Sequence, residues 1–177
     1  MDAREIIPQF DEYLAARGLK LRAIVIGGAA LQLLGIIARP TEDCDVLDPS
    51  LPGAILEAAA GFAKLHAADG LRAEWLNNAP AALLRTLPSA WSARLQQLYS
   101  GAALELLTLG REDLLRSKLF ALIDRNIDLP DCIALQPTRE ELLSILPWLC
   151  EQDSNDDWPR YVRVVLDQLA QELGYGL

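Results

Sequence analysis

Apolar residues recur along this chain with two periods, and each change of period marks a boundary. Between residues 2 and 16, Ile6, Ile7, Phe10, Tyr13 and Leu14 fall at three- and four-residue steps, which predicts an amphipathic helix stopped by Gly18. Leu21 to Ile26, LRAIVI, is a short β-branched run ending at Gly27-Gly28 and predicts a buried strand. Ala29 to Ile37 predicts a short helix packed on both sides. From Asp43 to Asp48 the pattern drops to alternation, with Cys44, Val46 and Leu47 set against Asp43 and Asp45. That is a second strand, closed by Asp48-Pro49. Residues 52–68 predict a helix with Pro52 near its first turn. Residues 70–100 mix loop signals at Asn77-Asn78, Pro80 and Pro88 with short apolar pieces, and are expected as a strand or loop followed by short helices. A third strand is expected over 103–110, ALELLTLG. Beyond it the period is helical, in segments 111–125, 129–135, 138–151 and 157–173. Thr138 to Glu141 forms a capping-box pattern, and Pro147 should bend or end its helix.

The fold class that follows is α/β (α+β): a small mixed sheet flanked by helices over residues 1–110, with a helical C-terminal segment, 111–177, packed on that core. Composition supports a packed core, since 51% of the 177 residues are hydrophobic and only 23% charged. A net charge of -9 argues against a general nucleic-acid binder, which needs a Lys/Arg surface, though it leaves room for a local basic pocket. Cys44, Cys132 and Cys150 lack metal-like spacing, and their odd number predicts reduced thiols and a cytoplasmic setting. The acids of the N-terminal MDAREIIPQFDEYL do not fit a secretory signal. The one membrane-like run, residues 23–38, carries Gln32 and three glycines and falls short of the roughly 20 apolar residues a span needs, so no membrane association is expected.

Chemistry concentrates where that apolar run ends. Asp43 and Asp45 are two apart on a predicted strand, which puts both side chains on one face with Cys44 turned into the apolar layer. Paired carboxylates beside apolar neighbours repel each other, and a divalent cation removes that cost. Oxygen ligands alone favour a hard ion, Mg2+ or Mn2+; the alternative is a solvated strand end. Gly27-Gly28, between strand and helix, lets backbone N–H groups approach a phosphate, or else serves only as a tight turn. No Gly-Lys-Ser/Thr and no G-x-G-x-x-G is present, so neither a P-loop nor a dinucleotide fingerprint is built here.

The ordered series of strand, Gly-Gly, helix, Arg39-x-Thr41-x-Asp43-x-Asp45, strand resembles the nucleotidyltransferase superfamily, the polymerase-β-like fold. In the form GGAALQLLGIIARPTEDCDV it looks most like the AbiEii-type and related bacterial nucleotidyltransferase-like proteins. EWLNN at 74–78 resembles a segment that follows the second strand in such proteins. Residues 111–135 resemble their helix with a central lysine, here Lys118, followed by Arg125, Asp128 and Asp131. The resemblance implies a nucleotidyltransferase-like core that moves a nucleoside monophosphate from an NTP to an acceptor hydroxyl on RNA or protein. It also implies an antitoxin partner in the AbiEii setting. The catalytic and metal-holding residues it implies are Asp43, Asp45 and a third carboxylate on a later strand, for which Glu105 is the candidate. Nucleotide-binding roles would fall to Gly27, Gly28, Arg39, Thr41 and Lys118. Read from the residues alone, Glu105 has a solvated sheet glutamate as its alternative, and Lys118 is equally a cover for its apolar neighbours. Arg125, Asp128 and Asp131, at three-residue steps, are expected as a structural ion-pair cluster. His66, the single histidine, lies on a predicted helix away from the motif and is read as non-catalytic, which leaves no Ser-His-Asp or Cys-His chemistry. The four tryptophans are expected in the core or at an interface. A second function class stands beside the enzyme: a nucleotide- or protein-binding module of the same fold without turnover.

Overall fold

A computed structural model describes residues 1–177, which form two compact units, Met1–Gly110 and Arg111–Leu177. The first unit holds five strands: β1 (Leu21–Ile26), β2 (Cys44–Asp48), β3 (Leu76–Asn77), β4 (Gln96–Ser100) and β5 (Leu104–Thr108). Their order is β3-β2-β1-β5-β4; β1–β5 and β2–β3 are parallel, β1–β2 and β4–β5 antiparallel. Three helices accompany them, α1 (Ala3–Ala15), α2 (Gly27–Leu33) and α3 (Gly53–Leu65), with short 3-10 turns at Ala67–Asp69, Ala79–Arg85 and Trp91–Arg94.

One face of the sheet makes the core. Val25, Cys44, Val46, Leu104 and Leu106 cluster there with Phe10 and Leu14 of α1 and Ile55 and Phe62 of α3. Each fully buried Leu or Phe contributes about 1.5–3 kcal/mol. Trp75 is completely buried, edge-on to Phe10 at 5.0 Å, and its indole N–H donates to the Ala59 carbonyl at 3.2 Å. Period-two alternation and the strand register place Arg22, Ile24, Ile26, Asp45, Glu105 and Leu107 on the opposite face.

Three sequence expectations need correcting. Asp43 stands just before β2 instead of on it. The cause is β1, whose last residue, Ile26, pairs with Asp45 before the chain turns into α2, leaving no partner strand for Asp43. The strand β4 was not expected at all. Its sequence QQLYS has no apolar alternation because it is a largely exposed edge strand that buries little. Pro147 does not end its helix, α6 (Arg139–Cys150), which runs three residues beyond it. Its ring removes the N–H that would donate to the Leu143 carbonyl, a loss confined to one bond because the helix ends three residues later.

The second unit comprises α4 (Arg111–Arg125), α5 (Leu129–Ala134), α6 and α7 (Trp158–Glu172). The capping box at the start of α6 is formed: Glu141 N–H donates to the Thr138 hydroxyl at 3.1 Å, and Thr138 N–H to the Glu141 carboxylate at 2.9 Å. Arg111 grips the same carboxylate at 2.6 and 3.0 Å, joining α4 to α6 and holding the Glu141 pKa below its ordinary value. The expected cluster of Arg125 with Asp128 and Asp131 has a different cation. Arg125 is exposed, whereas the Lys118 ammonium lies 3.0 Å from Asp128 and 2.7 Å from the fully buried Asp131. Positive φ at Asn126 (53°) and Asp128 (72°) reverses the chain after α4, so α5 returns its carboxylates to a lysine two turns back. No helix is long and apolar enough to cross a membrane.

Candidate active site

The site begins at the turn where β1 becomes α2. Gly27 has φ 74°, a left-handed conformation that costs an L side chain about 1–2 kcal/mol. Space forbids a side chain as well: a Cβ on Gly27 would lie 2.7 Å from Oδ2 of Asp45. A Cβ on Gly28 would lie 2.6 Å from the Thr41 hydroxyl oxygen. The two glycines therefore let backbone pack directly against the residues that the intervening loop returns. In this way Gly27, Gly28, Thr41 and Asp45 form one small cluster. Gly27→Ala is expected to lower stability by about 1–2 kcal/mol through the backbone alone, a fall of several degrees in thermal denaturation, and to push the Asp45 carboxylate out of place.

Buried polar groups fix the loop between those residues. Gln32, fully buried on α2, accepts the Ala3 N–H at 2.7 Å and donates to the Arg39 carbonyl at 3.2 Å. Thr41 is nearly buried, its N–H bonded to the Met1 carbonyl at 3.0 Å and its hydroxyl donating to the Asp43 carbonyl at 3.3 Å. Thus Thr41 sets the backbone from which Asp43 projects, and its own hydroxyl faces Gly28. On the other side of β2, Asn77 is in register with Asp45. Asn78 clamps the strand's exit, accepting the Leu51 N–H at 2.7 Å and donating to the carbonyls of Val46 (2.9 Å) and Pro49 (3.0 Å). This gives EWLNN a physical role: its tryptophan fills the core and its asparagines hold the strand that carries Asp45.

Not every expected residue joins the cluster. Asp45 pairs with Ile26, whereas Glu105 pairs with Arg22, four residues earlier on β1. At about 3.3 Å per residue the two carboxylates are set about 13 Å apart along that strand. Glu105 is bound instead to Arg22, Nε to Oε2 at 3.1 Å. The β5 residue of that face nearest Asp45 is Leu107, opposite Ile24, and it is apolar. No three His, Cys, Asp or Glu side chains gather to hold one metal ion. A metal trio of Asp43, Asp45 and Glu105 is therefore not assembled. Lys118 lies in the second unit and binds Asp128 and Asp131 there. Arg39 is exposed, one guanidinium nitrogen 3.4 Å from the Pro40 carbonyl.

Sequence reading missed Arg72. It lies between His66 and Trp75 without a periodic or motif signal, yet its guanidinium is 3.2 Å from Glu42 and 3.8 Å from Asp43. The thiols offer no nucleophile beside the cluster. Burial pushes the pKa of Cys44 far up, with the charges of Asp45 and Asp43 adding to it, and burial raises Cys132 to about 12. His66 caps α3, its ring 4.3 Å from Phe62 and its Nδ1 3.1 Å from Asp69.

What the cluster offers is a side-chain-free turn beside a carboxylate, with a second carboxylate two positions away. Neither a curated protein nor a solved structure matches the chain. Residues 4–135 match a family model described as a nucleotidyltransferase of unknown function (DUF6036), a span that takes in the Gly-Gly turn, Asp43, Asp45, α4 and α5, and the chain belongs to that family.

Proposed function

We propose that the chain moves a nucleoside monophosphate from an NTP to an acceptor hydroxyl, with a divalent ion, Mg2+ or Mn2+, at Asp43 and Asp45. The observation that carries this reading is the contact of Gly27 with Asp45, a cradle that one Cβ would fill. The donor set fits as well, since two carboxylates suit a hard cation. When bound, such an ion supplies charge stabilisation to the phosphoryl oxygens. The chain's own residues do the rest. Gly27 and Gly28 admit the phosphate chain to backbone N–H groups. Thr41 holds the backbone of Asp43, and Arg39 stands at the rim of the same loop. The acceptor oxygen bonds to the α-phosphorus as pyrophosphate leaves, a displacement that depends chiefly on positioning and electrostatics. The net charge of -9 favours a protein over an RNA acceptor. Membership of the AbiEii-type branch, and with it a toxin-like role beside an antitoxin, rests on the Gly-Gly to Asp-x-Asp segment and on the run from Lys118 to Asp131. Recovery of a neighbouring-gene product in complex with the chain is its test.

The Arg22–Glu105 pair favours a second reading, a nucleotide-binding module without turnover, because it leaves the site with two carboxylates in place of three. Binding is measured first. Mg2+ with ATP, GTP, CTP or UTP is expected to raise the melting temperature, and Asp43→Asn to abolish the rise. Transfer of label from the NTP to protein or RNA then separates enzyme from module. No shift with any nucleotide at millimolar Mg2+ would sink both.

A further inference from the structure

A polyphosphate ligand needs cations at a site this rich in carboxylates. Glu42, Asp43 and Asp45 lie within four residues of one another, and a polyphosphate brought among them meets like charge. Of the cations expected to offset this, Lys118 is engaged with Asp128 and Asp131, and Arg39 is exposed with one guanidinium nitrogen 3.4 Å from the Pro40 carbonyl. The Arg72 guanidinium reaches two of these carboxylates, at 3.2 Å from Glu42 and 3.8 Å from Asp43.

Building on the nucleotidyltransferase reading, we infer that Arg72 is the side chain that binds the nucleotide's phosphate chain, holding Asp43 until the ligand arrives. Its backbone is fixed. Leu71 and Trp75 on either side are buried, Leu71 N–H bonds to the His66 carbonyl at 3.2 Å, and the Arg72 carbonyl accepts the Trp75 N–H at 3.2 Å. Its side chain, 55% exposed, is free to move from that anchor. An exposed ion pair at these distances holds weakly and exchanges readily. With Asp43 engaged in holding a divalent ion, the guanidinium would lose the attraction that keeps it there. The freed planar fork then matches phosphate oxygens, which it can bind through two hydrogen bonds at once. Arg72 and the metal ion thus compete for Asp43 in the free protein and act on the same ligand in the complex.

The two halves of this exchange predict opposite shifts in one variant. Mn2+ alone, followed by electron paramagnetic resonance, and Mg2+ with NTP or inorganic tripolyphosphate, followed by calorimetry, are titrated into the full chain. Arg72→Ala is expected to weaken NTP and tripolyphosphate binding about tenfold, and to tighten Mn2+ about twofold by removing its competitor. Arg72→Lys should restore part of the triphosphate affinity, because it returns the charge without the fork. A structural role for Arg72 would weaken both ligands together, and that outcome overturns the inference. Unchanged triphosphate binding in Arg72→Ala overturns it alone, leaving the wild-type site intact as a nucleotide site. A wild-type chain that takes up no triphosphate overturns the nucleotidyltransferase reading along with it. Arg72→Gln, which keeps the side chain's length, gives the same comparison should the alanine variant fail to fold.

Discussion

Asp45→Asn is expected to lower nucleotidyl transfer by about 10^3-fold, equivalent to about 4 kcal/mol of transition-state stabilisation, while leaving the fold in place. Asparagine has nearly the size of aspartate, so the contact with Gly27 and the pairing with Ile26 and Asn77 persist. What it loses is the charge, and with it the attraction for a hard cation. The near-isosteric change keeps the packing at the turn, so the melting temperature is expected to stay within a few degrees of the wild type. Label transfer from NTP, measured beside thermal denaturation, separates the two effects. Glu105→Gln is the matched control. Its carboxylate lies about 13 Å along β1 from Asp45 by the strand rise and is occupied by Arg22, so transfer should change less than about threefold, the scale of a lost exposed ion pair. A loss as large as that of Asp45→Asn would mean that the sheet closes differently in the working protein.

The contrast between those two carboxylates shows where sequence reading stops. Strand β1 is legible to the residue because a β-branched run ends at two glycines, and both its burial and its boundary are local properties. The capping box of α6 is legible for the same reason, since its two hydrogen bonds join residues three apart. Glu105 lies on the expected strand, and alternation puts it on the same face as Asp45. Its level along the sheet depends on register between β1 and β5, and a parallel pairing made through a long crossover leaves no mark in either strand. Lys118 meets Asp128 and Asp131 because two non-glycine residues take positive φ, a choice imposed by the fold around them. Arg72 is the extreme case. Nothing in its neighbourhood distinguishes it from a solvated arginine until Leu71 and Trp75 are seen to fix the backbone beside Asp43.

The largest effect on stability is expected from Asp11→Ala, about 4 kcal/mol, since it removes a charged acceptor and leaves buried donors unpaired. Asp11 lies on α1 but turns inward, only 6% exposed. Its carboxylate accepts the N–H groups of Ala102 at 3.0 Å, Ala103 at 2.8 Å and Leu104 at 2.6 Å, where β4 gives way to β5. Gly101 is pressed against the same oxygens, its Cβ position 2.2 Å from Oδ2, so no other residue fits there. One side chain thereby ties α1 to the β4–β5 connection. Burial alone would raise its pKa, but the three backbone donors and the Tyr99 hydroxyl outweigh it and hold the value below normal. The sign of the pH dependence follows. A depressed carboxylate stabilises the fold fully above its unfolded pKa of about 3.9, and that contribution is lost as pH falls through the lower folded value. Urea denaturation at neutral pH should therefore show the whole deficit of Asp11→Ala. The gap between variant and wild type should then narrow below about pH 4 as the wild-type carboxylate takes up its proton. A deficit that stays constant down to pH 2 would instead assign the loss to packing at the helix–hairpin junction and not to the charge.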